Sequence, residues 1–126
     1  MLSNETVNAF CDLVLDGKYI EAIEKFYAPA VEIQENLDPP RIGRDAQLAR
    51  ERQALGNLQI KAERLDPILI AGDNVAIHWR FEMKTGSGKT FLLDEVAWQV
   101  WKDDQIVFEQ FFYDPRQLAF LAEARA

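Results

Sequence analysis

Three short stretches carry the residue types that could do chemistry. The first is TGSGKT, Thr85 to Thr90, which resembles the end of a phosphate-binding loop. The full motif needs a Gly five residues before Gly88, and that position holds Met83. It also needs a helix opening at the Lys, so that amides and helix dipole converge on the phosphates. The residues that follow, FLLDEVAWQVW, have the β-branched and aromatic character of a strand. TGSGKT is therefore expected to be a hairpin loop. The second stretch is VEIQEN (31–36), where Glu35 shares an alternating face with Val31 and Ile33. Desolvation among apolar neighbours is the usual way a carboxylate is tuned for proton transfer. A bond from Glu35 to nearby amides, or to an Arg such as Arg41, is the structural alternative. The third is Asp94-Glu95, adjacent acids in one strand, which must point to opposite faces.

Other reactive side chains point less clearly to a site. His78, the single histidine, alternates with Arg80, Glu82 and Lys84, opposite an apolar stripe, and so belongs to an outer, solvated or interface face. Cys11, the single cysteine, falls on the apolar face of a helix and excludes an internal disulfide. One His and one Cys make a His/Cys metal site improbable, and no metal or cofactor is expected. Ser87 lies in a turn with no base assigned to it.

The elements that must position these groups follow from periodicity. Val7, Phe10, Cys11, Val14 and Leu15 form the stripe of an amphipathic helix, which Ser3 or Asn4 can cap and Gly17 can end. A shorter helix carries Tyr19, Ile20, Ile23, Phe26 and Tyr27 on one face, stopped by Pro29. After the strand 31–36, LDPPRIG (37–43) reads as a loop and 44–55 as a third helix. From Leu58 the period changes to two. A strand region reaches Ile70 with a bend at Asp66-Pro67, and a turn at 71–74 leads to a clean alternation through Val75, Ile77, Trp79, Phe81 and Met83. Two further strands, 91–101 and 106–113, flank a turn at 102–105. Asp114-Pro115 then opens a terminal helix with Leu118, Phe120 and Leu121.

The chain has 126 residues, a length that suits one domain spanning 1–126. Its net charge of −7, with acids and bases interspersed, argues against a nucleic-acid partner. No apolar run approaches the roughly 20 residues of a membrane span. The first ten residues lack a basic region followed by an apolar run, so a cytoplasmic location is expected.

Helices first, then consecutive strands, then a short helix describe an α+β fold: a strongly curved, mostly antiparallel sheet packed on N-terminal helices. At this level the chain resembles the nuclear transport factor 2-like superfamily, in its SnoaL-like branch of polyketide cyclases and ketosteroid isomerases. The resemblance is carried by FYAPAVEIQENLDPPRIGRDA (26–46) and LDEVAWQVWKDDQIVFEQFFYDP (93–115). It implies a cone with an interior apolar pocket, and a homodimer through the outer sheet face.

In the isomerase branch, a strand carboxylate removes a proton α to a carbonyl while an acid holds the enolate. The base position falls here on Gln34, which cannot take a proton, and the neighbouring Glu35 becomes the candidate base. Asp94 or Glu95 is the candidate polarising acid. Asp94 keeps the more apolar company of Val96, Trp98 and Val100, whereas Glu95 goes with Ala97, Gln99 and Trp101. The acid/base Asp of the SnoaL-type cyclases falls on Phe112, which argues against cyclase activity. Tyr27, Ile33, Trp98, Gln110 and Phe112 are the expected pocket residues. Two functions stay open: acid/base chemistry of an isomerase or dehydratase type on a small apolar carbonyl compound, or a non-catalytic ligand-binding or dimerisation module.

Overall fold

A computed structural model describes residues 2–119, so Phe120 and Leu121 of the expected terminal helix lie outside the described residues. The element order is α1 (Asn4–Leu15), α2 (Tyr19–Phe26), β1 (Tyr27–Glu35), β2 (Arg41–Ile42), α3 (Arg44–Asn57), β3 (Leu58–Ala71), β4 (Asn74–Thr85), β5 (Thr90–Lys102) and β6 (Gln105–Phe112), followed by a 3₁₀ turn, Pro115–Leu118.

Local chemistry explains most of the boundaries. The Ser3 hydroxyl accepts from the Thr6 amide and caps α1, while Gly17, at φ +77°, turns the chain out of it. Helix α2 ends at Phe26, because Tyr27 is already extended and opens β1 four residues earlier than the alternation suggested. Pro29 therefore sits inside a strand, not at a helix stop. The loop read at 37–43 contains the two-residue strand β2, which pairs Glu32 with Ile42 and Ile33 with Arg41. Asp103 and Asp104 both adopt positive φ, the geometry of a tight turn between right-twisted strands. Thr85 closes the TGSGKT loop through its amide to the Lys89 carbonyl at 2.9 Å. TGSGKT links two antiparallel strands, and no helix opens at Lys89.

The six strands form one open sheet in the order β2-β1-β6-β5-β4-β3, antiparallel except for the parallel β1–β6 pair. Three helices pack on its concave side, giving an α+β cone. The core joins Val7, Phe10 and Cys11 of α1 and Ile23 and Phe26 of α2 to Val75, Ile77, Trp79, Ala97, Trp101 and Ile106 of the sheet. Phe10, Phe26 and Trp101 meet edge to face with ring centroids no more than 6.0 Å apart. No helix among the described residues is long and apolar enough to cross a membrane.

Candidate functional site

Between the helices and the inner sheet face lies a cavity of about 430 Å³. Phe10, Val14 and Ile23 line it from the helices, and Trp79, Phe81, Met83 and Leu93 from the sheet. Set into these apolar walls are four glutamates from four elements: Glu35 of β1, Glu51 of α3, Glu95 of β5 and Glu109 of β6. Among the described residues, no three His, Cys, Asp or Glu side chains are grouped so as to hold a metal ion.

Glu109 is fully buried and tied on both oxygens. The Tyr27 hydroxyl donates to Oε1, and Gln99 Nε2 donates to Oε2 at 2.6 Å. Trp101 Nε1 in turn donates to Gln99 Oε1 at 2.9 Å. Burial pushes the Glu109 carboxyl up to about 7, against the opposing effect of the Tyr27 and Gln99 hydrogen bonds. Tyr27 itself is raised well above the usual phenol range, first by burial and then by the Glu109 charge.

Nearer the rim, Glu35 is occupied on both oxygens. Arg41 Nη2 reaches Oε2 at 3.4 Å, and the Tyr113 hydroxyl donates to Oε1 at 3.2 Å. The same Arg41 nitrogen donates to Gln47 Oε1 at 3.1 Å, whereas Arg41 Nε is buried without a partner. Burial also raises the half-buried Glu51, with Arg50 and Arg41 opposing the shift.

Glu95 stands apart. Its residue is 8% exposed, its side chain lines the cavity, and it makes no hydrogen bond among the described residues. Burial, followed by the charges of Glu35, Glu109 and Glu51, holds this carboxyl well above the ordinary carboxylate range. It is a buried carboxyl without a hydrogen-bond partner among the described residues.

The residues singled out in the sequence divide between the two faces of the sheet. Glu35, Glu95 and Tyr27 line the cavity. Asp94 lies on the outer face, bonded to His78 at 3.3 Å and to Arg80 at 3.1 Å, while the Gln117 amide nitrogen donates to its carbonyl. Trp98 and Phe112, expected as pocket walls, are each 44% exposed on that outer face, and Gln110 points to the Asn36 carbonyl at 2.8 Å. Ile33 is buried in the core and does not line the cavity. Gln34, the family's base position, donates to the Asp38 carbonyl.

One irregularity accounts for the corrected β6 walls. Val100 pairs with Phe108, but its neighbour Trp101 pairs with Ile106, so β6 carries one extra residue at Val107. The alternation that starts inward at Ile106 changes phase there, and Glu109 and Phe111 take the inner positions expected of Gln110 and Phe112. On β5 the inner set is Glu95, Ala97, Gln99 and Trp101, the more polar one. Sequence reasoning missed Glu109 and Glu51 as lining residues. The available signal was the Gln99–Trp101 pair, since both side chains demand partners when buried.

Known proteins of the same fold match over nearly the whole chain. A Mesorhizobium loti protein, provisionally described as a SnoaL-like polyketide cyclase, is 23% identical with a TM-score of 0.78, covering 90% of this chain and 100% of its own. A Burkholderia pseudomallei NTF2-like protein of unknown function is 15% identical, with a TM-score of 0.80 and coverage of 95% and 98%. An M. tuberculosis epoxide hydrolase described as LEH-like is 13% identical, with a TM-score of 0.75 and coverage of 96% and 88%. No curated protein sequence matches. The family model for the SnoaL-like domain matches residues 7–109, a span that includes most of the helices and sheet and all four cavity glutamates, and the chain belongs to that family.

Proposed function

We propose that the cavity binds a small, largely apolar molecule bearing a carbonyl or comparable oxygen, and that it supports acid/base chemistry of an isomerase or dehydratase type. The observation that carries this reading is Glu95, a buried carboxyl in an apolar-walled cavity with no hydrogen-bond partner of its own. Such a group costs stability unless a ligand accepts its proton, and a neutral acid there polarises a carbonyl oxygen. Glu35 supplies a carboxylate on a different strand, the arrangement needed to move a proton while the acid holds the developing oxyanion. The names polyketide cyclase and epoxide hydrolase among proteins of the same fold agree with a cavity for small organic molecules.

A second reading is a binding module without turnover, and a specific observation favours it. Both Glu35 oxygens already have partners, Arg41 and Tyr113, so the base is engaged within the protein. Thermal-shift titration with apolar ketones, followed by proton-exchange assays at the α carbon, separates the two. Loss of binding in Glu95→Leu, which removes the donor, supports the acid's role in either reading. Exchange that requires Glu35 supports catalysis, and exchange at the wild-type rate in Glu35→Gln sinks it.

The outer face is proposed to meet a second copy of the chain. Val96 and Phe112 are cross-strand partners there, with Trp98 one pair along, forming an exposed apolar patch beside the His78–Asp94–Arg80 cluster. Light scattering on wild type and Trp98→Glu tests this. A dimer that becomes a monomer is expected, and a wild-type monomer rules it out.

A further inference from the structure

The hydrogen bonds around Glu109 have a polarity fixed from their far end. The Trp101 indole can only donate, so Gln99 must present Oε1 to it. The Gln99 Nε2 group then has to face Glu109 Oε2, which accepts in either charge state. A proton added to Glu109 therefore sits on Oε1, the oxygen opposite the Tyr27 hydroxyl.

Two arrangements follow. With Glu109 ionised, the Tyr27 O–H is committed to Oε1, and the phenol oxygen offers the cavity only a lone pair. With Glu109 neutral, its own O–H donates to the Tyr27 oxygen, and the phenol proton is free to turn into the cavity that Tyr27 lines. We propose that Glu109 is a positioning residue whose protonation decides whether Tyr27 offers the ligand a hydrogen-bond donor or an acceptor. The neutral state then selects carbonyl compounds, and the ionised state hydroxyl compounds. The ligand class rests on the function proposed above, while the exchange between Glu109 and Tyr27 does not.

The surroundings place the exchange near neutrality, since burial raises Glu109 to about 7. The titratable groups that face it are Tyr27 and Glu35 from β1, Glu95 from β5, Glu51 from α3 and the Cys11 thiol from α1. No cation forms an ion pair with it among the described residues. Glu95 and Glu51 are raised as well, so any test must separate their protons from that of Glu109.

The test uses the full chain with carbon-13 at Glu Cδ and Tyr Cζ. In wild type one Glu signal is expected to titrate near the value of about 7, with the Tyr27 signal following at the same midpoint. Glu109→Gln keeps the side-chain shape. Its oxygen must face Gln99, so its amide donates to Tyr27 at every pH, and the Tyr27 signal is expected to freeze at its low-pH position. Tyr27→Phe removes a donor from the carboxylate and moves the Glu109 midpoint up. Acetophenone, an acceptor only, is expected to bind wild type about tenfold tighter at about pH 5.5 than at about pH 8.5, and to bind Glu109→Gln equally at both. Ethylbenzene, which has no acceptor, should show no such dependence. A Tyr27 signal that ignores the Glu109 midpoint overturns the exchange. An acetophenone dependence that persists in Glu109→Gln overturns ligand selection by Tyr27 and assigns it to Glu95 or Glu51. Acetophenone that binds at neither pH, with the carbon signals still coupled, overturns the carbonyl-ligand reading and leaves the exchange standing.

Discussion

The two faces of β5 invert the usual relation between polarity and burial. The inner face carries Glu95, Gln99 and Trp101, with Gln99 fully enclosed and Glu95 nearly so. The outer face carries Val96 and Trp98, both substantially exposed. Burying polar groups is tolerable on the inner face because their hydrogen bonds form a closed chain, Trp101 to Gln99 to Glu109, with Tyr27 at its end. Among the buried polar residues described on the inner face of β5, Glu95 is left out of that chain. The outer face has apolar area but no enclosing layer among the described residues. Burial in this sheet follows from which side the helices cover, and Gln99 and Glu109 are tolerated there because they are satisfied.

The two tryptophans of β5 give the largest contrast. Trp101 touches Phe10 and Phe26 and holds the Gln99 amide, so Trp101→Ala is expected to cost about 3–5 kcal/mol in chemical denaturation. Trp98→Ala, on the exposed face, should cost the monomer less than about 1 kcal/mol. Equal losses at the two positions would break the comparison.

Next in size is the effect of pH. The Glu109 carboxyl binds its proton more tightly in the fold, at about 7, than at the ordinary value of 4.5. The stability linked to that proton is fully present below the ordinary value and is lost as pH rises through about 7. The difference corresponds to something on the order of 3 kcal/mol. Wild type should therefore gain stability when acidified across this window, with Glu95 and Glu51 acting in the same direction. Glu109→Gln should show a flatter profile, and an unchanged profile would remove Glu109 from the account.

Gln99→Leu sharpens the comparison further. It orphans the Trp101 indole N–H and removes a donor from Glu109, for an expected cost of about 2–3 kcal/mol. It should also move the Glu109 carbon titration upward, since the Gln99 bond holds that value down. Gln110→Leu, which loses a partly exposed bond to the Asn36 carbonyl, is expected to cost below about 1 kcal/mol. Comparable losses at Gln99 and Gln110 would show that the inner network contributes no special stability.

The α+β class, the helix faces of α1 and α2, the strand alternation of β4 and the hairpin at TGSGKT were all legible in the sequence. Each is a local signal: a period of side chains, a cap, or a turn residue with the right φ. The cavity was legible only in part. Glu35 followed from its strand face, Tyr27 lines the cavity from β1 and not from the helix face expected of it, and Glu95 was one of two open choices. Asp94, with its apolar neighbours, proved to be the outward one, because ranking faces by hydrophobicity assumes that apolar means inside. Gln110 and Phe112 turned outward because one extra residue at Val107 reverses the phase of β6, and a two-residue period has no memory beyond such a bulge.

The sequence by itself determined most of the helix and strand segments, though not the start of β1 at Tyr27 or the short β2, since those preferences act between residues a few positions apart. Only the tertiary structure decided which face of each strand the helices cover, and hence that Glu35, Glu51, Glu95 and Glu109 share one cavity while Asp94 joins His78 and Arg80 outside. That decision depends on contacts between residues tens of positions apart, such as Tyr27 with Glu109, where satisfying a buried carboxyl outweighs the hydrophobicity of the competing face.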